Sequence, residues 1–201
     1  MMLEVPFFKQ TTDANCGPTA LQMAFSYFGK NYNISLIEEK VGIKEGKGVS
    51  TISLAVASAE LGFRTEFFTK HLLFQENHLQ KSYYQKFSDM DLDKSKKLAE
   101  EAKTKGVKLY EKTISLEELL SKVKPESILI VLIDWNTLKE RPEKGYQGHF
   151  VPVVGFDKDN VYFHNQGFSE TAPFFKAEKN IFDKARKSDG TDEDIVVIHK
   201  I

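Results

Sequence analysis

The chain holds one cysteine, Cys16, followed at once by Gly17-Pro18 and a dense apolar run through Ala20, Leu21, Met23, Ala24 and Phe25 that closes at Gly29. Pro just inside a start and Gly just past an end mark helix boundaries, so Cys16 falls at a helix N-terminus. A thiol is a weak nucleophile until deprotonated, and the unpaired N–H groups and partial positive charge of a helix start favour the thiolate. A lone cysteine is more often a small core residue, but this position turns the reading toward a nucleophile. Such a nucleophile needs a base. Of His71, His78, His149, His164 and His199, only His149 opens a strongly apolar strand, Phe150 to Val154, where packing alone gives no reason for an imidazole. His149 is the expected base, and an imidazolium beside the helix start is expected to draw the Cys16 midpoint below that of a free thiol, near pH 8.5.

A third group should fix the tautomer of the imidazole, and Asn165, Asp157 and Asp159 follow in the next hairpin. A five-residue loop over 155–159 sets His149 directly opposite Asn165 and keeps Val151, Val153, Val161 and Phe163 on their shared face. A two-residue turn at Lys158-Asp159 flips Asn165 to the other face, so apolar consistency favours the longer loop. In that register His164 points away and is read as a surface residue, while Asp157, Asp159 and Asn160 are turn formers rather than cation ligands. Gln10 offers a side-chain amide that could meet a developing oxyanion, although a Gln in a loop is more often solvated. Trp135 is either a cleft wall or core cover.

The elements that must position these residues are legible from caps and patterning. Ser35 with Glu38, Ser50, and Ser115 with Glu118 read as helix starts, and Gly62 and Pro125 as stops. Phe63 to Phe68 reads as a short strand and Ser127 to Asp134, an unbroken apolar run, as a buried one. Residues 148–154 and 160–165 form a hairpin, 179–187 a last helix and 194–199 a closing strand. From Lys70 to Lys112 the chain is rich in lysine with only a weak apolar stripe, and reads as an exposed helical insertion. Helices come early and strands late, which predicts an α+β fold over 1–201 as one domain.

Composition narrows the function classes. Hydrophobic residues at 41% and charged residues at 28% are globular usage and exclude a disordered chain. A net charge of −1 supplies no basic field, so nucleic acid is not an expected partner. No apolar stretch approaches the ~18 residues of a membrane span, and the start lacks a basic segment before an apolar run, so the cytoplasm is the expected compartment. One cysteine excludes an intramolecular disulfide and a multi-cysteine metal site; no metal or cofactor is expected.

The runs Val5-Pro6-Phe7-Phe8-Lys9-Gln10 and Asn15-Cys16-Gly17-Pro18-Thr19-Ala20 resemble the active-site opening of the bacteriocin-leader-processing (double-glycine) cysteine peptidases and their stand-alone relatives. Gly148-His149-Phe150-Val151-Pro152-Val153-Val154-Gly155-Phe156 and Val161-Tyr162-Phe163-His164-Asn165 are similar to the His and acid strands of that family, with the same step from His to acid as in papain-like enzymes. The likeness covers about 5–68 and 114–201. It implies a papain-like fold with Cys16 as nucleophile, His149 as base, Asn165 as orienter and Gln10 as oxyanion donor. Asn165 stands where the bacteriocin-processing branch usually has Asp, and the 70–112 insertion is outside the compact pattern, so double-glycine cleavage is not carried over. The expected function is a cysteine peptidase or related amide hydrolase acting on a peptide or protein. The alternatives are a peptide-binding module that keeps the fold and an acyl transferase. The insertion is the expected place for a protein partner.

Overall fold

The computed structural model describes residues 1–167 and 170–201. Three helices open the chain: α1 (Cys16–Tyr27), α2 (Ile34–Val41) and α3 (Thr51–Glu60). Helix α1 is buried along most of its length because the apolar run at its core has no polar face to offer. Gly17 is required by close approach: a Cβ there would stand 3.0 Å from Leu54 and Val49 and 3.2 Å from Phe150. Ser50 caps α3 as expected, accepting from the Ser53 N–H. For α2 the cap is Asn33, whose side chain accepts from Leu36 N–H, rather than Ser35; the helix begins earlier than expected because Asn is as good a cap as Ser.

The sheet is seven-stranded and dominated by antiparallel pairs, in the order β2-β1-β7-β3-β4-β5-β6. Its strands are β1 (Arg64–Thr69), β2 (Lys108–Glu111), β3 (Ser127–Asp134), β4 (Gly148–Phe156), β5 (Asn160–Asn165), β6 (Ala172–Glu178) and β7 (Ile195–His199). Every residue of central β3 is buried, so both faces are covered, which is why this strand reads as unbroken apolar sequence instead of alternating. Helix α1 packs on β4 and β3. The fold is the expected α+β one.

The 70–112 segment is largely helical and ends in a strand. It holds a 3-10 turn (Glu76–Gln80), α4 (Ser82–Phe87), α5 (Leu92–Thr104) and then β2, which adds a parallel edge strand to β1. Its aromatics pack inward: Tyr83 and Tyr84 meet Tyr146 with ring centroids 5.3 and 5.5 Å apart. His78, in this lysine-rich segment, is 4% exposed, stacks on Tyr84 at 4.9 Å and lies 3.5 Å from Asp192. The lysines mark the outer face and conceal this aromatic one.

The β4–β5 hairpin corrects the expected register. Phe156 pairs with Val161 and Gly155 with Tyr162, the tight turn that apolar patterning disfavoured, and then Val153 pairs with Phe163. Val154 is thus the extra residue of a bulge, which switches the facing residues back to a common face. The turn is closed by Asp157, whose Oδ1 accepts from the backbone N–H of Asp159 at 2.9 Å and from that of Asn160 at 2.7 Å, as expected of a turn former.

The bulge sits where the N-terminus docks. Leu3 N–H donates to the Val154 carbonyl at 2.7 Å and Phe156 N–H to the Met1 carbonyl at 2.9 Å. A Cβ on Gly155 would lie 2.5 Å from that Met1 oxygen, so only glycine admits the contact.

Candidate active site

Gln10, Cys16, His149 and Asn165 all line one cleft of about 480 Å³. Cys16 is the first residue of α1 and 8% exposed. The preceding Asn15 is fully buried and does not cap the helix with its side chain. Its Oδ1 accepts from Thr11 and Thr12 N–H at 3.2 Å each, and its Nδ2 donates to Thr11 Oγ1 and Glu38 Oε1 at 2.9 Å each. The loop that carries Gln10 toward the helix start is therefore stitched to α1 and α2.

His149 Nε2 lies 3.0 Å from Asn165 Oδ1, in a buried contact. The amide orientation is set by its other bonds: Nδ2 donates to the Glu170 carbonyl at 2.7 Å, and Oδ1 accepts from Gly167 N–H at 3.1 Å. Because that oxygen can only accept, Nε2 carries the ring proton and Nδ1 keeps its lone pair, the tautomer a base needs. Trp135 meets the His149 ring edge-to-face with centroids 5.4 Å apart and lines the cleft while 8% exposed, so it is both wall and core cover.

Electrostatics differ from the expected ion pair. Burial pushes the Cys16 thiol up, against backbone hydrogen bonds at Phe150, Gly17 and Cys16 itself that pull it down. Burial also lowers His149 to about 4, with the Asn165 hydrogen bond acting the other way. Removing charge from water costs more here than the hydrogen bonds return, which favours thiol over thiolate and neutral imidazole over imidazolium.

Gln10 is buried rather than solvated. Its backbone N–H donates to the Gln166 carbonyl at 3.0 Å and its Nε2 to the Thr12 carbonyl at 2.7 Å, leaving a second N–H on that nitrogen. His164 is also a correction. It does point away from His149, but it is fully buried, its Nε2 donating to the Val5 carbonyl at 2.8 Å and its Nδ1 accepting from Phe174 N–H at 3.1 Å. The N-terminal segment covers the face that an isolated hairpin would expose.

Sequence reasoning missed Gln166. Its fully buried Nε2 donates to the Cys16 carbonyl at 3.0 Å and to the Phe150 carbonyl at 2.6 Å, tying the start of α1 to the residue after His149. Its own carbonyl receives Gln10 N–H. Position beside Asn165 was the only available signal. Tyr83 was missed as well: its hydroxyl donates to the Gly148 carbonyl at 2.9 Å and it lines the cleft from the insertion. Among the described residues no three His, Cys, Asp or Glu side chains converge as a metal site, and no helix is long and apolar enough to cross a membrane.

The sequence model of the guanylylate cyclase family matches residues 5–198. A curated relative, Guanylyl cyclase 1 of Arabidopsis thaliana, is 21% identical over 98% of this chain and 76% of its own length. The structural neighbours are C39 peptidase domains. A C39-like peptidase from Bacillus anthracis superposes with a TM-score of 0.61 at 16% identity, covering 100% of this chain and 98% of that one. The peptidase domain of Streptococcus ComA, a bi-functional ABC transporter of a quorum-sensing pathway, gives 0.52 at 13% identity, with 96% of each chain covered. A double-glycine-motif protease from a PCAT transporter gives 0.51 at 15% identity, with 99% and 93% covered. At these identities the likeness shows the papain-like fold.

Proposed function

Because the chain belongs to the guanylylate cyclase family while folding as a papain-like peptidase, we propose that its activity is that of the fold: hydrolysis of an amide bond in a peptide or protein through a Cys16 thioester. The observation that carries this reading is the 3.0 Å hydrogen bond from His149 to Asn165 in the cleft that also holds Cys16. It gives a buried imidazole a fixed tautomer that packing alone does not require.

The steps follow from the resting protonation states. As the Cys16 sulfur bonds to the substrate carbonyl carbon, its proton passes to His149 Nδ1. The free Gln10 N–H and the Cys16 backbone N–H stabilise the oxyanion. Collapse breaks the C–N bond, and His149 returns the proton to the departing amine. Water then attacks the thioester with His149 as base, releasing the acid and the thiol. An amine in place of water makes the same intermediate a transferase. The proposed compartment is the cytoplasm, where a lone thiol persists unpaired.

The name of the Arabidopsis relative supports a second reading, formation of a cyclic nucleotide from GTP. That reaction must gather a triphosphate, and the cleft offers Lys86 and Lys144 beside Asp13 and Glu170, with no net positive field. One experiment separates the readings. Electrophilic peptide probes are mapped by mass spectrometry on wild type, Cys16→Ala and His149→Ala, with GTP turnover measured on the same samples. Labelling confined to Cys16 and slowed in His149→Ala supports the hydrolase. GTP turnover that survives Cys16→Ala, with no acylation of wild type, replaces it. Absence of both, with peptide binding intact, makes the chain a binding module that keeps the fold.

A further inference from the structure

A second cavity, of about 120 Å³, lies beneath the 70–112 segment against the start of α3 and the sheet. Val49, Phe67, Leu73, Phe74, Leu132 and Phe150 supply the apolar part of its lining. Its polar part holds three carboxyl groups, Asp89, Asp192 and Asp194, against one basic residue, His71, and its described lining contains no Lys or Arg. Two of these carboxyl groups have basic partners from outside the cavity: Asp89 pairs with Lys44 and Lys94, and Asp192 lies 3.5 Å from His78. Asp194 has no such partner among the described residues. Its Oδ1 is buried without a hydrogen bond, and so is Thr51 Oγ1, also in the lining. Thr51 and Thr69 hydroxyls lie near the carboxyl and temper it, but burial, with a smaller push from Asp192, raises it to about 8.

A carboxyl group raised by burial and lacking a cation is complementary to a side chain with a methylene stem and a cationic head, whose charge would draw the carboxyl back down and ionise it on pairing. The cavity also adjoins the cleft across a shared aromatic wall. Tyr83, Phe87 and Tyr146 line both. Phe150 follows His149 in sequence, and its ring is the neighbour that a Cβ at Gly17 would meet at 3.2 Å. We propose that this cavity receives a lysine or arginine side chain of the peptide held in the cleft, with Asp194 as its counter-ion. The proposal rests on the amide-hydrolase reading for its substrate, and it names a specificity pocket built by the insertion, the part of the chain outside the peptidase-like blocks.

The test uses peptide vinyl sulfones that differ only by Lys or norleucine, scanned over the three residues before the electrophile. At one position the Lys probe should label Cys16 at least about tenfold faster than its norleucine twin, the scale of a buried charge pair. Asp194→Asn should erase that ratio by slowing the Lys probe toward its norleucine twin. Leu73→Lys, which places a tethered ammonium in the cavity, should erase it too and covers the case in which the Asn variant does not fold. Norleucine labelling as fast as Lys at every position, or a preference that survives both variants, overturns the proposal. Should no probe acylate Cys16, the hydrolase reading fails separately. The pocket is then judged by thermal stabilisation with n-pentylammonium against n-pentanol. A stabilisation specific to the ammonium and lost in Asp194→Asn supports the pocket, and equal effects of the two compounds overturn it.

Discussion

His149 and Asn165 are hydrogen-bonded at 3.0 Å although they are not opposed across the hairpin. With Val153 opposite Phe163, His149 and Asn165 lie on the shared face as diagonal neighbours. The one-residue bulge at Val154 is what puts them there. A tight turn without the bulge turns Asn165 to the opposite face.

The first expected outcome concerns the thiol. Since burial raises Cys16, iodoacetamide alkylation should show a midpoint above that of a free thiol, the reverse of what a helix start alone implies. Alkylation rates followed by mass spectrometry across pH decide it. A midpoint well below about pH 8.5 means that the ion pair is already formed at rest.

The second is the acid limb of kcat/KM. His149 acts as base only when neutral, and burial lowers it to about 4, so activity should persist at pH values where an ordinary imidazole is already protonated and fall as pH drops through the His149 midpoint. Asn165→Ala removes the hydrogen bond that favours the protonated ring, so the limb should move to still lower pH as the rate falls. A limb remaining at an ordinary imidazole value near about 6.5 contradicts the buried environment.

The third is the order of losses in single-turnover acylation of an activated amide. Cys16→Ala and His149→Ala should be most severe. Gln10→Ala should cost about 10²- to 10³-fold in kcat, with KM little changed, because its second N–H meets charge only as the oxyanion develops. Asn165→Ala should be mildest. A Gln10→Ala enzyme with wild-type kcat removes Gln10 from the oxyanion site.

Gln166→Ala provides the fourth. It strips donors from two buried carbonyls, those of Cys16 and Phe150, and should lower unfolding free energy by about 1–3 kcal/mol in urea titration. Because the same bonds set the spacing of α1 and β4, Cys16 acylation should slow as well. Gln166→Asn, with a shorter reach, should recover little. Unchanged stability and acylation in the Ala variant contradict the proposed tie.

Local signals in the sequence determined much of this protein. Pro18 and Gly29 bound α1, Ser50 and Ser115 cap their helices, and the unbroken run from Ser127 to Asp134 is the doubly covered β3. These follow from spacing and backbone chemistry over a few residues, which a sequence displays directly. The motif blocks around Cys16 and His149 marked the residues that now line one cleft for the same reason.

What tertiary structure alone decided involves partners distant in sequence. The bulge at Val154 is bonded by Met1 and Leu3 from a distant part of the chain, contacts that patterning within the hairpin does not contain. Burial of His164 depends on Val5, and that of His78 on Tyr84 and Asp192. The protonation of Cys16 and His149 depends on desolvation, a property of everything packed around a group rather than of its neighbours in the chain.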